Sequence, residues 1–370
     1  MGVVVLSVAS ASLTSNPVRV MVVDDSAIVR GLIVQLLEHD PGIAVVARAA
    51  QGEAALAELD RTPVDVVVLD IEMPVMDGLT ALPLILKKRP EVKVIMASTL
   101  TRRNARISLQ ALQAGAADYV PKPETGGLVG AEDFARELTA KVKALGQSRG
   151  QIQDRGGALP SASAPAPAAP AVRPAPLSPP VRPQVLAIGG STGAPPALMT
   201  LFQDLKDGLE QAVLLTQHMP PTFTAMLAEQ LERSGGRPAA EARDGEPILP
   251  GRIYVAPGGW HMTVGRSGQV PVIRLNQEAP EHFCRPSVDP MLRSAAAVYG
   301  PGLLAVILTG MGADGAEGCR AVAGAGGRFI VQDEATSVVW GMPGAAARTG
   351  LADAVLPLPQ IGSWIRRACA

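Results

Sequence analysis

Three aspartates and one lysine stand in the sequence where they could do phosphoryl chemistry. Asp24 and Asp25 close the apolar run Val20-Met21-Val22-Val23, and Asp70 closes Val66-Val67-Val68-Leu69. As neighbouring parallel strands, these runs bring the carboxylates to one sheet edge. Clustered carboxylates repel one another and raise their pKa values, so a hard divalent cation such as Mg²⁺ is the natural compensation; a cation with open positions also holds a phosphoryl group. Lys122, between Pro121 and Pro123 after the short run Asp118-Tyr119-Val120, adds a positive charge at the same edge. Asp24 or Asp25 taken alone reads equally well as the cap of a following helix.

A second set could do nucleophilic chemistry. Gly189-Gly190-Ser191-Thr192-Gly193 follows the apolar run Val185 to Ile188, a Gly-x-Ser-x-Gly pattern at a strand-to-helix turn. Such a turn exposes a serine hydroxyl beside backbone N–H groups that can stabilise an oxyanion, and it serves equally to cradle a phosphate or dinucleotide. The partners decide between these uses. Of the four histidines, His218 follows the run Val213 to Thr216; His39 sits at a polar helix end, His282 in a loop, and His261 is ambiguous. Asp314 lies in the glycine-rich turn after Leu303 to Leu308, placed either to cap a helix or to orient His218. The order Ser, His, Asp disfavours the α/β-hydrolases, which run Ser, Asp, His.

The elements that must position these residues follow from the same runs. Val18 to Val23, Val64 to Leu69 and Val92 to Ala97 alternate with amphipathic stretches at Ala27 to His39 and Gly78 to Lys88. The second half repeats the style with Val185 to Ile188, Ala212 to Thr216, Arg252 to Ala256 and Leu303 to Leu308. The rhythm predicts α/β architecture in two doubly wound parallel-sheet domains, whose ligands sit at the carboxyl ends of strands. Between them, Gly150 to Pro183 turns to Pro, Ala, Ser and Gly, too poor in apolar side chains to offset its ordering entropy. The expected division is a disordered extension over 1–17, a first domain over 18–145, a Pro/Ala-rich linker over 146–183 and a second domain over 184–370.

Composition narrows the function. A chain of 370 residues suits two domains, and a net charge of -1 with 3% aromatic residues gives no basic surface and little stacking material, so nucleic acid is a poor partner. Three scattered cysteines supply neither a disulfide framework nor a Cys-x-x-Cys metal site, which fits a reducing, cytoplasmic setting. The first sixteen residues carry no Lys or Arg ahead of their apolar part, unlike a secretory signal, and no apolar run approaches the ~20 residues of a membrane span.

Asp24-Asp25-Ser26, Asp70 with Met73-Pro74 and Asp77-Gly78, Ser98-Thr99, and Tyr119-x-x-Lys122-Pro123 together resemble the receiver domain of two-component response regulators, which is flavodoxin-like. The resemblance implies that Asp70 takes a phosphoryl group, Asp24 and Asp25 join it in binding Mg²⁺, Lys122 pairs with the phosphoryl oxygens, and Ser98 and Tyr119 act as the switch. Ile188-Gly189-Gly190-Ser191-Thr192-Gly193, Gln217-His218-Met219-Pro220, Arg285-Pro286-Ser287-Val288-Asp289 and Leu308-Thr309-Gly310-Met311-Gly312-x-Asp314-Gly315 are similar to the chemotaxis protein-glutamate methylesterases, the CheB family. That similarity implies a serine esterase needing no cofactor. Ser191 is then the nucleophile, His218 the base, Asp314 its orienter, and the Thr192 and Met311 N–H groups the oxyanion donors. Methyl-accepting chemoreceptors are the implied substrates, a chemotaxis-type histidine kinase the phosphodonor, and receptors the only link to a membrane. Deamidation of receptor glutamines and a receiver that covers the Ser191 cleft until phosphorylated are implied too. Two departures stand out: the family often has Ala and Gly where this chain has Gly190 and Ala194, and Cys284 stands where relatives can carry His. Cys284 reads as a packing residue, no activating neighbour being evident in the sequence.

Overall fold

Short apolar runs without a polar face make strands only where both faces of a sheet are covered. Four of these runs form central strands: β3 (Val66–Asp70) in a first sheet, and β6 (Val185–Gly190), β7 (Ala212–Gln217) and β12 (Leu303–Ile307) in a second, every residue of the four being buried. The computed structural model describes residues 16–99, 101–122, 131–153 and 181–370; most of the extension expected over 1–17, and residues 154–180 of the expected linker, lie outside them.

The first sheet adds β1 (Val18–Val23), β2 (Ile43–Ala49), β4 (Lys93–Ser98) and β5 (Asp118–Pro121) in the parallel order β2-β1-β3-β4-β5, flanked by α1 (Ala27–Glu38), α2 (Gly52–Arg61), α3 (Gly78–Lys88), α4 (Arg102–Gln113) and α5 (Ala131–Gln153). This is the flavodoxin-like order, and its switch point falls between β1 and β3, the two strands that end in the aspartates. Ser26, Asp77 and Thr101 cap α1, α3 and α4, each side chain accepting a backbone N–H of the first turn. α5 runs to Gln153, into the stretch assigned to the linker.

In the second sheet β8 (Ala239–Glu241), β9 (Ile253–Val255), β13 (Arg328–Gln332) and β14 (Ala354–Leu356) complete the parallel order β14-β13-β12-β6-β7-β9-β8. Helices α6 (Ala194–Asp204), α7 (Pro221–Gly235), α8 (Val288–Tyr299), α9 (Ala316–Gly324), α10 (Met342–Ala347) and α11 (Leu358–Cys369) surround it. Both doubly wound sheets expected from the sequence are present. The departure is an antiparallel hairpin of β10 (His261–Ser267) and β11 (Val270–Asn276), closed by a two-residue turn whose Gly268 takes φ 60°.

The two halves are packed on each other. One apolar cluster runs from the α2–α4 side of the first sheet through Tyr119 to Phe223 and Met226 of α7, and a second gathers Val338, Val339 and Met311 against Phe134 and Leu138 of α5. Among the described residues no helix is long and apolar enough to cross a membrane.

Candidate active site

The carboxyl ends of β1, β3 and β5 bring the acidic set together. Asp24 and Asp70 are buried and Asp25 is exposed, and one oxygen from each lies within 4.8 Å of the others. Lys122 Nζ bridges two of them, 2.6 Å from Asp24 Oδ2 and 2.7 Å from Asp70 Oδ1. Burial pushes the Asp70 carboxyl up, Lys122 pulls it down, and the Asp24 charge pushes it up again, with a net rise. Three oxygens at this spacing, two in one buried pocket and one open to solvent, fit a hard cation of the Mg²⁺ kind. Gly78 is required at the start of α3: a Cβ there would sit 2.0 Å from the Asp70 carbonyl oxygen. Ser98 is buried at the end of β4, its hydroxyl 3.1 Å from that of Ser108, while Thr99 Oγ1 accepts from Asn104 at 2.6 Å.

The three residues of the second set stand at strand ends around the switch point of the larger sheet, where a hydrogen bond joins His218 to Asp314. Ser191 follows β6, His218 follows β7 on one side, and Asp314 lies beyond β12 on the other. Backbone bonds fix the turn: Ser191 N–H donates to Thr309 O at 3.1 Å, and His218 N–H donates to Gly190 O at 3.3 Å. Gly193 takes φ 77° at the cap of α6, where a Cβ would lie 2.5 Å from Val338, so the Gly-x-Ser-x-Gly pattern meets a real steric demand. Asp314 Oδ2 is 2.7 Å from His218 Nε2 and also accepts the Val288 N–H at 2.6 Å; its Oδ1 accepts the Asp289 N–H at 2.9 Å. The first turn of α8 thus holds this carboxylate.

Burial alone would push Asp314 up, but the His218 hydrogen bond and charge and the two backbone donors bring it down to about 2. Burial likewise pushes the His218 imidazolium down; charge at Cys284 and the bond to Asp314 prevail and raise it to about 10.

The departures of the turn from the family pattern have a common cause. A Cβ on Gly190 would stand 2.5 Å from the Cβ of Ala194. The site therefore holds one methyl group, which this chain carries on residue 194. Gly190→Ala alone is expected to cost about 1–3 kcal/mol through overpacking and to lower any activity at Ser191, while adding Ala194→Gly restores both. Denaturant melts of the two variants check this; additive effects would contradict it.

Several functional positions were not legible from local sequence. Cys284, expected to pack, lies with Sγ 3.4 Å from His218 Nδ1, a contact across 66 positions. Asp289, seen only as part of a motif, is buried; it accepts from His282 at 2.9 Å and from Gly318 N–H at 2.6 Å, holding the turn that follows Asp314. His261 is buried and buttresses the same loop, accepting the Ser287 N–H at 3.3 Å on Nδ1. Asp118 of the first sheet reaches into the second site: its Oδ2 accepts from Thr192 Oγ1 at 2.5 Å and pairs with Lys141 at 3.2 Å. Beside it Tyr119 stacks on Phe223, centroids 4.3 Å apart and planes 8° from parallel. Met311 packs in the cluster beneath α5.

Known families match each half of the chain. A family described as CheB methylesterase matches residues 186–365, and one described as response regulator receiver domain matches residues 20–129. A protein-glutamate methylesterase/protein-glutamine glutaminase of Paramagnetospirillum magneticum is 53% identical over 99% of this chain and 100% of its own. One from Azospirillum brasilense is 53% identical over 95% of this chain and 93% of its own. The crystal structure of the Thermotoga maritima CheB methylesterase catalytic domain, at 37% identity, covers 50% of this chain and 99% of its own with a TM-score of 0.49. Similarity of this extent along nearly the whole length shows that the chain belongs to the CheB protein-glutamate methylesterase family, with a receiver domain ahead of its methylesterase domain.

Proposed function

We propose that the protein is a phosphorylation-activated esterase of the cytoplasm that removes methyl groups from glutamate methyl esters of chemoreceptors and deamidates receptor glutamines by the same route. The receiver spans 18–145 and the catalytic domain 184–370. The observation that carries the reading is the Asp314–His218 pair at 2.7 Å, set beside the Ser191 turn by the ends of three adjacent strands. Ser191 Oγ attacks the ester carbonyl while His218 takes its proton, Asp314 holding the ring and its charge. The imidazolium then protonates departing methanol, and water attacks the acyl-serine by the reverse transfers to release the glutamate. The Thr192 and Met311 N–H groups are assigned to the developing oxyanion.

Control follows from what covers these groups. The receiver binds Thr192 through Asp118, holds Phe223 through Tyr119, and packs α5 over Met311, so in this arrangement it sits on the oxyanion side of the cleft. Asp70 accepts the phosphoryl group from a chemotaxis-type histidine kinase; Asp24, Asp25 and Asp70 would hold Mg²⁺, which would offset the phosphoryl charge. Lys122, now shared between Asp24 and Asp70, turns to the phosphoryl oxygens, and Ser98 and Tyr119 relay the change to the interface.

The test is methanol release from methylated receptor by the full chain, with and without Mg²⁺ and a small acyl phosphate. Stimulation is expected in the wild type and lost in Asp70→Asn; equal stimulation of the two proteins would remove Asp70 from its assigned role. Ammonia release from receptor glutamines follows the deamidase branch.

A further inference from the structure

The thiol of Cys284 sits where it can withhold the base. His218 Nε2 is committed to Asp314, so Nδ1 is the nitrogen that must receive the Ser191 proton, and Cys284 Sγ is 3.4 Å from it. The contact occupies the Nδ1 lone pair that a general base needs.

The segment bearing the thiol is sprung and touches the receiver. His282 and Phe283 take φ 53° and 62°, a left-handed region that non-glycine residues occupy only under strain. The loop is tied at its base, where Cys284 N–H donates to Glu281 O at 2.9 Å and His282 meets Asp289 at 2.9 Å. Phe283, 80% exposed, carries the guanidinium of Arg136 from α5 at 5.1 Å from its ring centroid. The receiver's last helix therefore rests on the residue next to the thiol.

We propose that Cys284 is a positioning residue that holds His218 away from Ser191 while the receiver is docked, with Arg136 on Phe283 keeping its loop in the withholding position. The proposal rests on Ser191, His218 and Asp314 being the reactive set. Receiver departure removes the cation from Phe283, the loop relaxes, and Nδ1 is released to the serine.

The test uses the full chain and methanol release from methylated receptor, with and without Mg²⁺ and acyl phosphate, in Cys284→Ala and Phe283→Ala. Cys284→Ala is expected to raise unstimulated kcat/KM about tenfold, the worth of one hydrogen bond, and to shrink the stimulation ratio accordingly. Removing the group that touches Nδ1 also shifts the limb of the pH–rate profile that His218 sets. The other charged groups facing the pair are Asp314 from the turn beyond β12, Asp289 and Arg293 from α8, Glu281 and His282 from the loop, and Arg136 from α5; all remain in Cys284→Ala. Phe283→Ala, at an exposed position, keeps the thiol and is expected to raise the unstimulated rate in the same direction. Unchanged unstimulated rates and pH limb, or equal falls in stimulated and unstimulated rates, would overturn the proposal and leave Cys284 a packing residue. A Ser191→Ala chain run alongside separates the two readings: activity surviving there refutes the reactive set itself, whereas an inactive Ser191→Ala with a silent Cys284→Ala refutes the thiol alone.

Discussion

Ser191→Ala is expected to lower the rate of methanol release by about 10³- to 10⁶-fold while leaving the fold intact, the range seen when the nucleophile of a serine hydrolase is removed. The structure separates the two effects. The turn is held by backbone, through Ser191 N–H to Thr309 O at 3.1 Å and Gln217 Nε2 to Ser191 O at 3.0 Å, and both bonds remain in the alanine variant. A thermal melt within a few degrees of the wild type, alongside single-turnover methanol release, checks the expectation. A rate within tenfold of the wild type would mean that some other group attacks the ester.

Asp314→Asn is expected to cost about 10⁴-fold in kcat and to destabilise the catalytic domain as well. The carboxylate accepts three hydrogen bonds, from His218 Nε2 and Val288 N–H on one oxygen and from Asp289 N–H on the other. An amide offers one acceptor oxygen, so its NH₂ must face a donor in either orientation, leaving a buried N–H unsatisfied at about 1–3 kcal/mol. If the NH₂ faces the ring, Nε2 becomes the acceptor and the proton moves to Nδ1, the wrong tautomer for taking a proton from Ser191. A pH–rate profile beside a denaturant melt separates the losses. An asparagine variant with near-normal kcat would show that Asp314 serves only to anchor α8.

The chemistry of both sites was legible because it sits at strand ends. A strand buried on both faces writes itself as an unbroken apolar run, and the polar residue that breaks it is the one facing a ligand, as with Asp70 after Leu69 or Ser191 after the β6 run. Weaker strands escaped. β13 opens on Arg328, β8 and β14 are three residues each with half-buried side chains, and the β10–β11 hairpin alternates because one of its faces is wet. The residues that link the sites could not be read at all. Asp118 meets Thr192 across 74 positions, and Phe283 meets Arg136 of the other domain. Such pairs leave no periodic trace; they exist only once two separately folded bodies have closed on each other.

Strands β12, β6 and β7 are consecutive at the middle of a seven-stranded sheet, and the three groups assigned to ester cleavage stand on their ends. Central strands buried on both faces are the last part of such a sheet to open. The clasp formed by Asp118, Tyr119 and Arg136 lies outside that nucleus, on a surface that must come apart to be useful. If the receiver restrains the catalytic half as proposed, warming or mild denaturation strips the brake before the engine, and a damaged molecule errs toward unrestrained activity rather than silence.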